Sequence, residues 1–214
     1  DEWNIATFYN LGMNEEKLNA DGYAPIKGYL DEIDAVTDKS QLVDMLANLH
    51  SKGISAFFSV FGTSDPANSN LNIPWYYQGG LGLPVTEYYT NEGKEADELR
   101  GKYVEHIGKM FQLIGYEETD ACGIAKNVFA IEDKLASFSM NSEEQRDPYA
   151  YTNKMDMPEI VKLSPNFDIE KYFEALGISI KQKINVGQPK FMTGVSQIIA
   201  DCSLDDIKHY LKWC

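Results

Sequence analysis

The sequence predicts a mainly α-helical protein with one small β-hairpin around residues 54–78. Apolar residues recur at spacings of three and four along most of the chain, which is typical of amphipathic helices. Aromatic and β-branched residues are concentrated in two short runs, which is typical of strands. The chain has 214 residues, of which 43% are hydrophobic, so it is long enough to bury a core. We expect a single helical domain over residues 1–214.

Three helices are expected before residue 54. The first carries an apolar stripe from the start of the sequence, interrupted weakly by Gly12; its members are Ile5, Phe8, Tyr9 and Met13. Pro25 can occupy the first turn of the second helix, and Ser40 is expected to open the third. The early start of the stripe suggests that the chain begins inside a longer protein.

The hairpin follows these helices. Residues 54–61 are rich in aromatic and β-branched side chains, and residues 62–66 are turn formers. A second extended run covers residues 71–78. Because Pro74 has no N–H to donate to a ladder, we expect this second strand to lie at an edge of the sheet.

Helices and one brief strand are expected in the rest of the chain. One apolar stripe runs from Leu99 to Ile114 and ends at Gly115, a favourable C-cap. The strongest helical pattern is a stripe with spacings of four, three, four and three, formed by Ile124, Val128, Ile131, Leu135 and Phe138. Further helices are expected after the capping pair Asp156 and Glu159 with Pro158, over 167–176, over 192–199 and after Ser203, with a short strand at 184–186. The helix after Ser203 is barely formed where the sequence stops at Cys214, so both ends look truncated.

Charge and composition exclude several classes of function. The formal net charge is −14, from 33 acidic and 19 basic residues, and it would repel nucleic acids and anionic membrane surfaces. No apolar run approaches the roughly 18 residues that a membrane span needs. The first residues do not resemble a signal peptide, so the protein is cytosolic or lacks an upstream segment. The three cysteines, Cys122, Cys202 and Cys214, are too scattered for a disulfide framework, although one disulfide stays open.

No familiar catalytic motif is present. A zinc hydrolase motif would place two histidines four residues apart with a glutamate between them, and none of His50, His106 and His209 stands in such a motif. Glu105 and His106 are sequence neighbours, which project in different directions from a helix and cannot form a base with its orienting acid. The sequence also lacks the signatures of serine and cysteine nucleophiles.

Residues 79–82, Gly-Gly-Leu-Gly, stand out because they offer several backbone N–H groups. A phosphate cradle would need a following lysine, and acidic residues follow instead, including those at 92–98. We therefore interpret this segment as a structural turn. Residues 141–148 carry carboxylates but lack the alternating ligand spacing of an EF-hand.

The segment Gln78–Pro84, followed by Glu87–Tyr89, resembles the Gln-Gly-Gly-Leu-Gly-Leu-Pro-x-Arg-Asp-Tyr-Tyr signature of the neprilysin-like zinc metallopeptidases, family M13. Four other segments are similar to family motifs in order and spacing: Phe8–Met13, Ile131–Ala136, Arg146–Met155 and Tyr210–Trp213. The resemblance covers nearly all 214 residues. Thr86 stands where the signature has Arg, Glu87 where it has Asp, and Gly12 where animal members have a disulfide-forming cysteine. These departures favour a bacterial member, and the resemblance is to Bacteroidetes sequences in particular.

The resemblance implies that the chain is part of the helical N-terminal lobe of a zinc endopeptidase. That lobe closes over a zinc-bearing lobe and leaves a chamber that admits peptides and excludes folded proteins. The implied partners are peptide substrates and the remaining catalytic lobe, and zinc is implied for the full-length protein. Its ligands are expected beyond Cys214, so no catalytic, cofactor-binding or metal-binding residue is carried over to this chain. Family members are commonly exported, so a periplasmic or extracellular location is implied.

Two alternatives stay open. One is a stand-alone, non-catalytic helical module that binds peptides; it is favoured if the reading frame ends at Cys214 without reaching a His-Glu-x-x-His motif. The other is an unrelated acidic helical enzyme, which requires the signature match to be coincidental. We expect the isolated chain to be inactive and to self-associate through apolar surface that the rest of an enzyme would cover.

Overall fold

The computed structural model describes residues 2–180 and 182–214. They belong to two compact units, one ending at Ala35 and the other running from Val36 to Cys214. The fold is mainly α-helical with a small four-stranded sheet, which confirms the predicted class. The expectation of a single domain stays a prediction.

The first unit contains α1 (Glu2–Gly12), α2 (Glu15–Asp21) and α3 (Lys27–Asp34). Pro25 lies in a short 3-10 turn, Ala24–Ile26, that precedes α3, and not in the first turn of the α-helix as the sequence predicts. Helix α1 buries none of its residues. Three residues of its expected apolar stripe, Ile5, Phe8 and Tyr9, lie in this helix and are exposed.

The second unit contains eight helices among the described residues, with the strands between them. The helices are α4 (Leu42–Ser51), α5 (Glu87–Thr90), α6 (Lys94–Leu113), α7 (Glu118–Phe138), α8 (Met157–Leu163), α9 (Ile169–Ala175), α10 (Pro189–Asp201) and α11 (Leu204–Trp213). The strands are β1 (Phe58–Asp65), β2 (Asn68–Gln78), β3 (Lys154–Met155) and β4 (Ile184–Val186).

The sheet has the order β1-β2-β4-β3, so β2 lies inside it and β1 at an edge. The edge position expected for the strand with Pro74 is wrong. Strand β4 pairs with β2 only at Trp75 and Tyr76, so at Pro74 the strand has a neighbour only on the β1 side, where Pro74 faces Gly62. Pro74, which has no N–H to donate, is therefore not paired with β4. Strand β1 also begins later than expected and continues through the predicted turn to Asp65.

Side-chain caps fix several helix starts. Asp156 and Glu159 form the predicted reciprocal capping box of α8, and the Ser203 hydroxyl caps α11 as predicted. Before α4 the cap is Asp38, which receives the N–H of Ser40, so Ser40 is not the capping residue. The carboxylate of Asp38 accepts this hydrogen bond more strongly than the hydroxyl of a serine would.

Helix α7 lies at the centre of the helical packing, in contact with α6, α10 and α11. Its stripe residues Val128, Ile131 and Leu135 are buried, as predicted. Two members of the α6 stripe, Leu99 and Met110, are instead partly exposed. No described helix is both long and apolar enough to cross a membrane.

Candidate functional site

The segment Gln78–Pro84, here called the glycine loop, leaves the end of β2 and passes close to other parts of the chain. A Cβ added at Gly79 would lie 2.9 Å from the hydroxyl of Ser59, and one at Gly80 would lie 2.6 Å from the backbone N of Phe57. Gly80 also has φ = 76°, a conformation that side chains rarely adopt. A Cβ at Gly82 would collide with the hydroxyl of Tyr103. Glycine is therefore required by close packing at all three positions.

Tyr210 of α11 fastens the loop at Gly80. Its hydroxyl donates to the Gly80 carbonyl at 2.7 Å and accepts from the N–H of Phe57 at 2.9 Å. Phe57 is the only non-glycine among the described residues with positive φ, at 58°, and it lies at the centre of a tight turn in which Phe58 N–H donates to the Ala56 carbonyl. The tyrosine thus joins a strained turn to the glycine loop.

Glu132 of α7 fastens the loop at Gly82. The side chain is fully buried, and its carboxylate accepts from Tyr89 at 2.7 Å, Tyr103 at 2.8 Å and the Trp213 indole at 2.9 Å. The backbone of Gly82 lies beside the same carboxylate, since a Cβ at Gly82 would be 3.0 Å from Glu132 Oε1. All of these donors are neutral, so the carboxylate is stabilised by dipoles alone.

Burial raises the pKa of the Glu132 carboxyl, and its hydrogen-bond donors only partly oppose this effect. Burial and the adjacent carboxylate also raise the pKa of Tyr89 and of Tyr103. The carboxylate has no exposed surface from which it could act on a substrate. Its chemistry is therefore to position the groups around it.

Glu132 could have been found in the sequence. It stands four residues after Val128 and three before Leu135, so it falls on the apolar stripe of α7, where a charged residue must find buried partners. The partners themselves come from α5, α6 and α11, far away in sequence. Helical periodicity carries no information about which distant side chains meet it.

The outer side of the glycine loop forms one wall of a groove of about 500 Å³, whose other wall includes Ser139, Ser142 and Gln145. The two walls are tied together by reciprocal hydrogen bonds. The Gln78 amide accepts from Met140 N–H at 2.7 Å and donates to the Met140 carbonyl at 2.9 Å. The groove lining mixes polar and apolar residues, and none of them is charged.

Glu87, which replaces the aspartate of the signature, adds a second tie. Its carboxylate accepts from Ser142 N–H at 2.8 Å, and this bond is the main reason why its pKa falls to about 2. Thr86, in the arginine position, is buried and donates its hydroxyl proton to Glu87 at 3.1 Å. A hydroxyl thus contacts the carboxylate where the signature would place a cation.

The other residues considered from the sequence are held apart. Glu105 pairs with Lys109 at 2.7 Å, while the ring of His106 contacts the edge of Trp213. Acidic residues at 92–98 include Glu95 and Asp97 in the first turn of α6, as expected from the helix dipole. Cys122, Cys202 and Cys214 are free thiols.

Among the described residues, the side chains that could bind zinc lie apart. The three histidines lie on three helices, α4, α6 and α11. His50 is occupied by the Tyr172 hydroxyl at 2.6 Å and the Ala56 carbonyl at 2.9 Å, and burial lowers its pKa. Across residues 2–180 and 182–214, no three His, Cys, Asp or Glu side chains are grouped to hold a metal ion. In residues 141–148, the Asn141 side chain accepts backbone N–H groups instead.

The sequence model of peptidase family M13 matches residues 1–214. The chain belongs to this family. Mouse (Mus musculus) endothelin-converting enzyme 1 is 24% identical over 96% of the chain and 28% of the enzyme. Neprilysin-3 of Drosophila melanogaster is 27% identical over 77% of the chain and 22% of its own length. The resemblance to neprilysin-like metallopeptidases is thereby confirmed, while an origin in Bacteroidetes stays a prediction.

Solved structures agree with this assignment. The zinc metalloprotease Zmp1 of Mycobacterium tuberculosis, in complex with an inhibitor, has a TM-score of 0.85 and 26% identity over 94% of this chain and 31% of that protein. PepO of Lactobacillus rhamnosis shares the fold with a TM-score of 0.71 at 16% identity, covering 91% of this chain and 30% of PepO. The chain therefore spans less than a third of the relatives that it matches.

Proposed function

We propose that this chain is part of a zinc metalloendopeptidase that hydrolyses small peptides. In this proposal it forms part of the lobe that encloses the reaction chamber and limits substrate size, and it contributes no catalytic residue. The observation that carries the proposal is the match of all 214 residues to family M13. The absence of a His-Glu-x-x-His motif from the sequence supports the assignment of zinc binding to another part of the protein.

The exposed apolar surface of α1 supports a covalently linked partner. Trp3 is 75% exposed and Phe8 is 82% exposed, and Ile5, Tyr9 and Leu11 are also exposed. A large exposed apolar patch marks a surface that another segment or protein covers. We assign that role to the remaining polypeptide of the peptidase, which would also hold the zinc ion. Export to the periplasm or the cell exterior is part of the same proposal.

The test compares the 214-residue chain with the protein encoded by its complete reading frame, using a fluorogenic peptide of fewer than about ten residues. The longer protein is expected to cleave it and to lose activity when zinc is chelated. The isolated chain is expected to be inactive. Chelator-sensitive cleavage by the isolated chain would refute the assigned role. A reading frame that ends at Cys214 would favour the non-catalytic binding module.

A further inference from the structure

Helix α11 holds the glycine loop at two points on one helical face. Tyr210 and Trp213 are three residues apart and therefore project from the same side of the helix. Tyr210 binds the Gly80 carbonyl directly. Trp213 binds Glu132 of α7, and Gly82 packs against both side chains. Gly80 is thus hydrogen-bonded to α11 directly, and Gly82 lies against Trp213 of the same helix.

The contacts leave no room for the loop to slide along this face. A Cβ at Gly82 would lie 3.0 Å from Glu132 Oε1 and 3.1 Å from the Trp213 indole nitrogen. A Cβ at Gly80 would meet both the Tyr210 hydroxyl and the backbone of Phe57. Displacing the helix must therefore displace the loop or break both attachments.

Breaking one attachment also weakens the other. If α11 moved away, the buried N–H of Phe57 and the carbonyl of Gly80 would lose their shared partner, and Glu132 would lose its indole donor. Each buried polar group that loses its partner destabilises the detached state. Partial detachment combines several such costs with no compensating contact, so detachment is expected to be cooperative.

We propose that α11 and the glycine loop form one conformational unit, held together by Tyr210 and Glu132. The position of α11 then sets the shape of the groove. The loop transmits the movement because Gln78 is tied to Met140 on the opposite wall. This coupling lies within the chain. It does not depend on whether the chain belongs to an active peptidase.

Hydrogen–deuterium exchange of the folded protein tests the coupling in both directions. Tyr210→Phe removes the hydroxyl on the helix side, and the reporters are the loop amides of Gly82 and Leu83, which Tyr210 does not contact. Gly82→Ala crowds the loop side, and the reporters are the amides of Leu211 and Cys214 in α11. We expect the reporter amides to exchange about tenfold faster in each case, as for the loss of one buried hydrogen bond.

Gly101→Ala is the matched control, because a Cβ at Gly101 meets nothing within 4 Å. Amides of α4 serve as the internal reference and are expected to keep their protection in all variants. Faster exchange confined to the mutated side in either variant would overturn the proposal. If Gly82→Ala fails to fold by circular dichroism, Trp213→Phe replaces it. That variant removes the indole N–H, and unchanged exchange at Gly82 would then overturn the proposal.

Discussion

The glycine loop and helix α1 are the two most distinctive segments of the molecule. They differ in burial, since the loop has buried partners and α1 has exposed apolar side chains. The loop lies among buried partners from α5, α6, α7 and α11, all within the described chain. Helix α1 carries large apolar side chains and buries none of its residues. The loop is thus self-contained, whereas the large apolar side chains of α1 are exposed.

The two segments are therefore expected to affect different properties: the loop affects the stability of the chain, and α1 affects its association. Changes around the glycine loop are expected to alter the free energy of unfolding of this chain, because the lost contacts are internal. Changes on α1 are expected to alter association and to leave the free energy of unfolding nearly unchanged. Substitutions in the glycine loop and its partners, and substitutions in α1, should therefore have different effects.

The largest effect is expected for Glu132→Ala. The substitution leaves the hydroxyls of Tyr89 and Tyr103 and the indole N–H of Trp213 without their acceptor, and it opens a cavity. We expect a loss of about 3–5 kcal/mol in the free energy of unfolding, measured by urea denaturation. Glu132→Gln keeps the shape and one acceptor oxygen, and we expect it to cost less than about 1.5 kcal/mol. Equal losses in the two variants would show that the hydrogen bonds contribute little.

Gly80→Ala should be the next most damaging change. The added Cβ would lie 2.6 Å from the backbone N of Phe57, and the positive φ of Gly80 is unfavourable for alanine. Overpacking of a core typically costs about 1–3 kcal/mol. The control is Gly62→Ala, where no atom lies within 4 Å of the added group, and thermal unfolding compares the two. A similar melting temperature in both variants would contradict the close packing of the loop.

How far the sequence predicts these features depends on the range of the interactions. Local chemistry predicted the capping box at Asp156 and the helix end at Gly115, because these involve residues four or fewer positions apart. Family resemblance identified the glycine loop as a signature, and its packing role was predicted correctly. The hydrogen bonds that Tyr210 donates and Glu132 accepts were missed, because they join residues 29 or more positions apart. Pro74 was misplaced because the sequence does not reveal how short β4 is.

The pH dependence of stability should distinguish Glu132 from other carboxylates. Its pKa is raised in the folded state, so just above the ordinary glutamate pKa the folded protein binds more protons than the unfolded protein. The contribution of Glu132 to stability therefore falls as pH rises through this window. Glu87 acts in the opposite sense, since its pKa is lowered to about 2 and its contribution is lost as pH falls below the unfolded value.

The difference between wild type and Glu132→Gln isolates the first effect. We expect the stability of wild type relative to the glutamine variant to decline as pH rises above the ordinary glutamate pKa, measured by urea denaturation at a series of pH values. Glu87→Gln should instead reduce the loss in the free energy of unfolding as the pH is lowered. Parallel curves for wild type and Glu132→Gln would mean that the buried carboxyl does not titrate in this range.

The smallest effect on stability, with a clear effect on association, is expected for Phe8→Ser on α1. Phe8 is 82% exposed, so its removal should change the free energy of unfolding by less than about 0.5 kcal/mol. It removes apolar surface available for contacts between chains, so light scattering should report a lower average mass than for wild type. Tyr149→Ser is the control, since Tyr149 is 88% exposed but lies outside α1, and it should leave the mass unchanged. A monomeric wild-type chain would show that α1 tolerates water without a partner and would remove the contrast with the glycine loop.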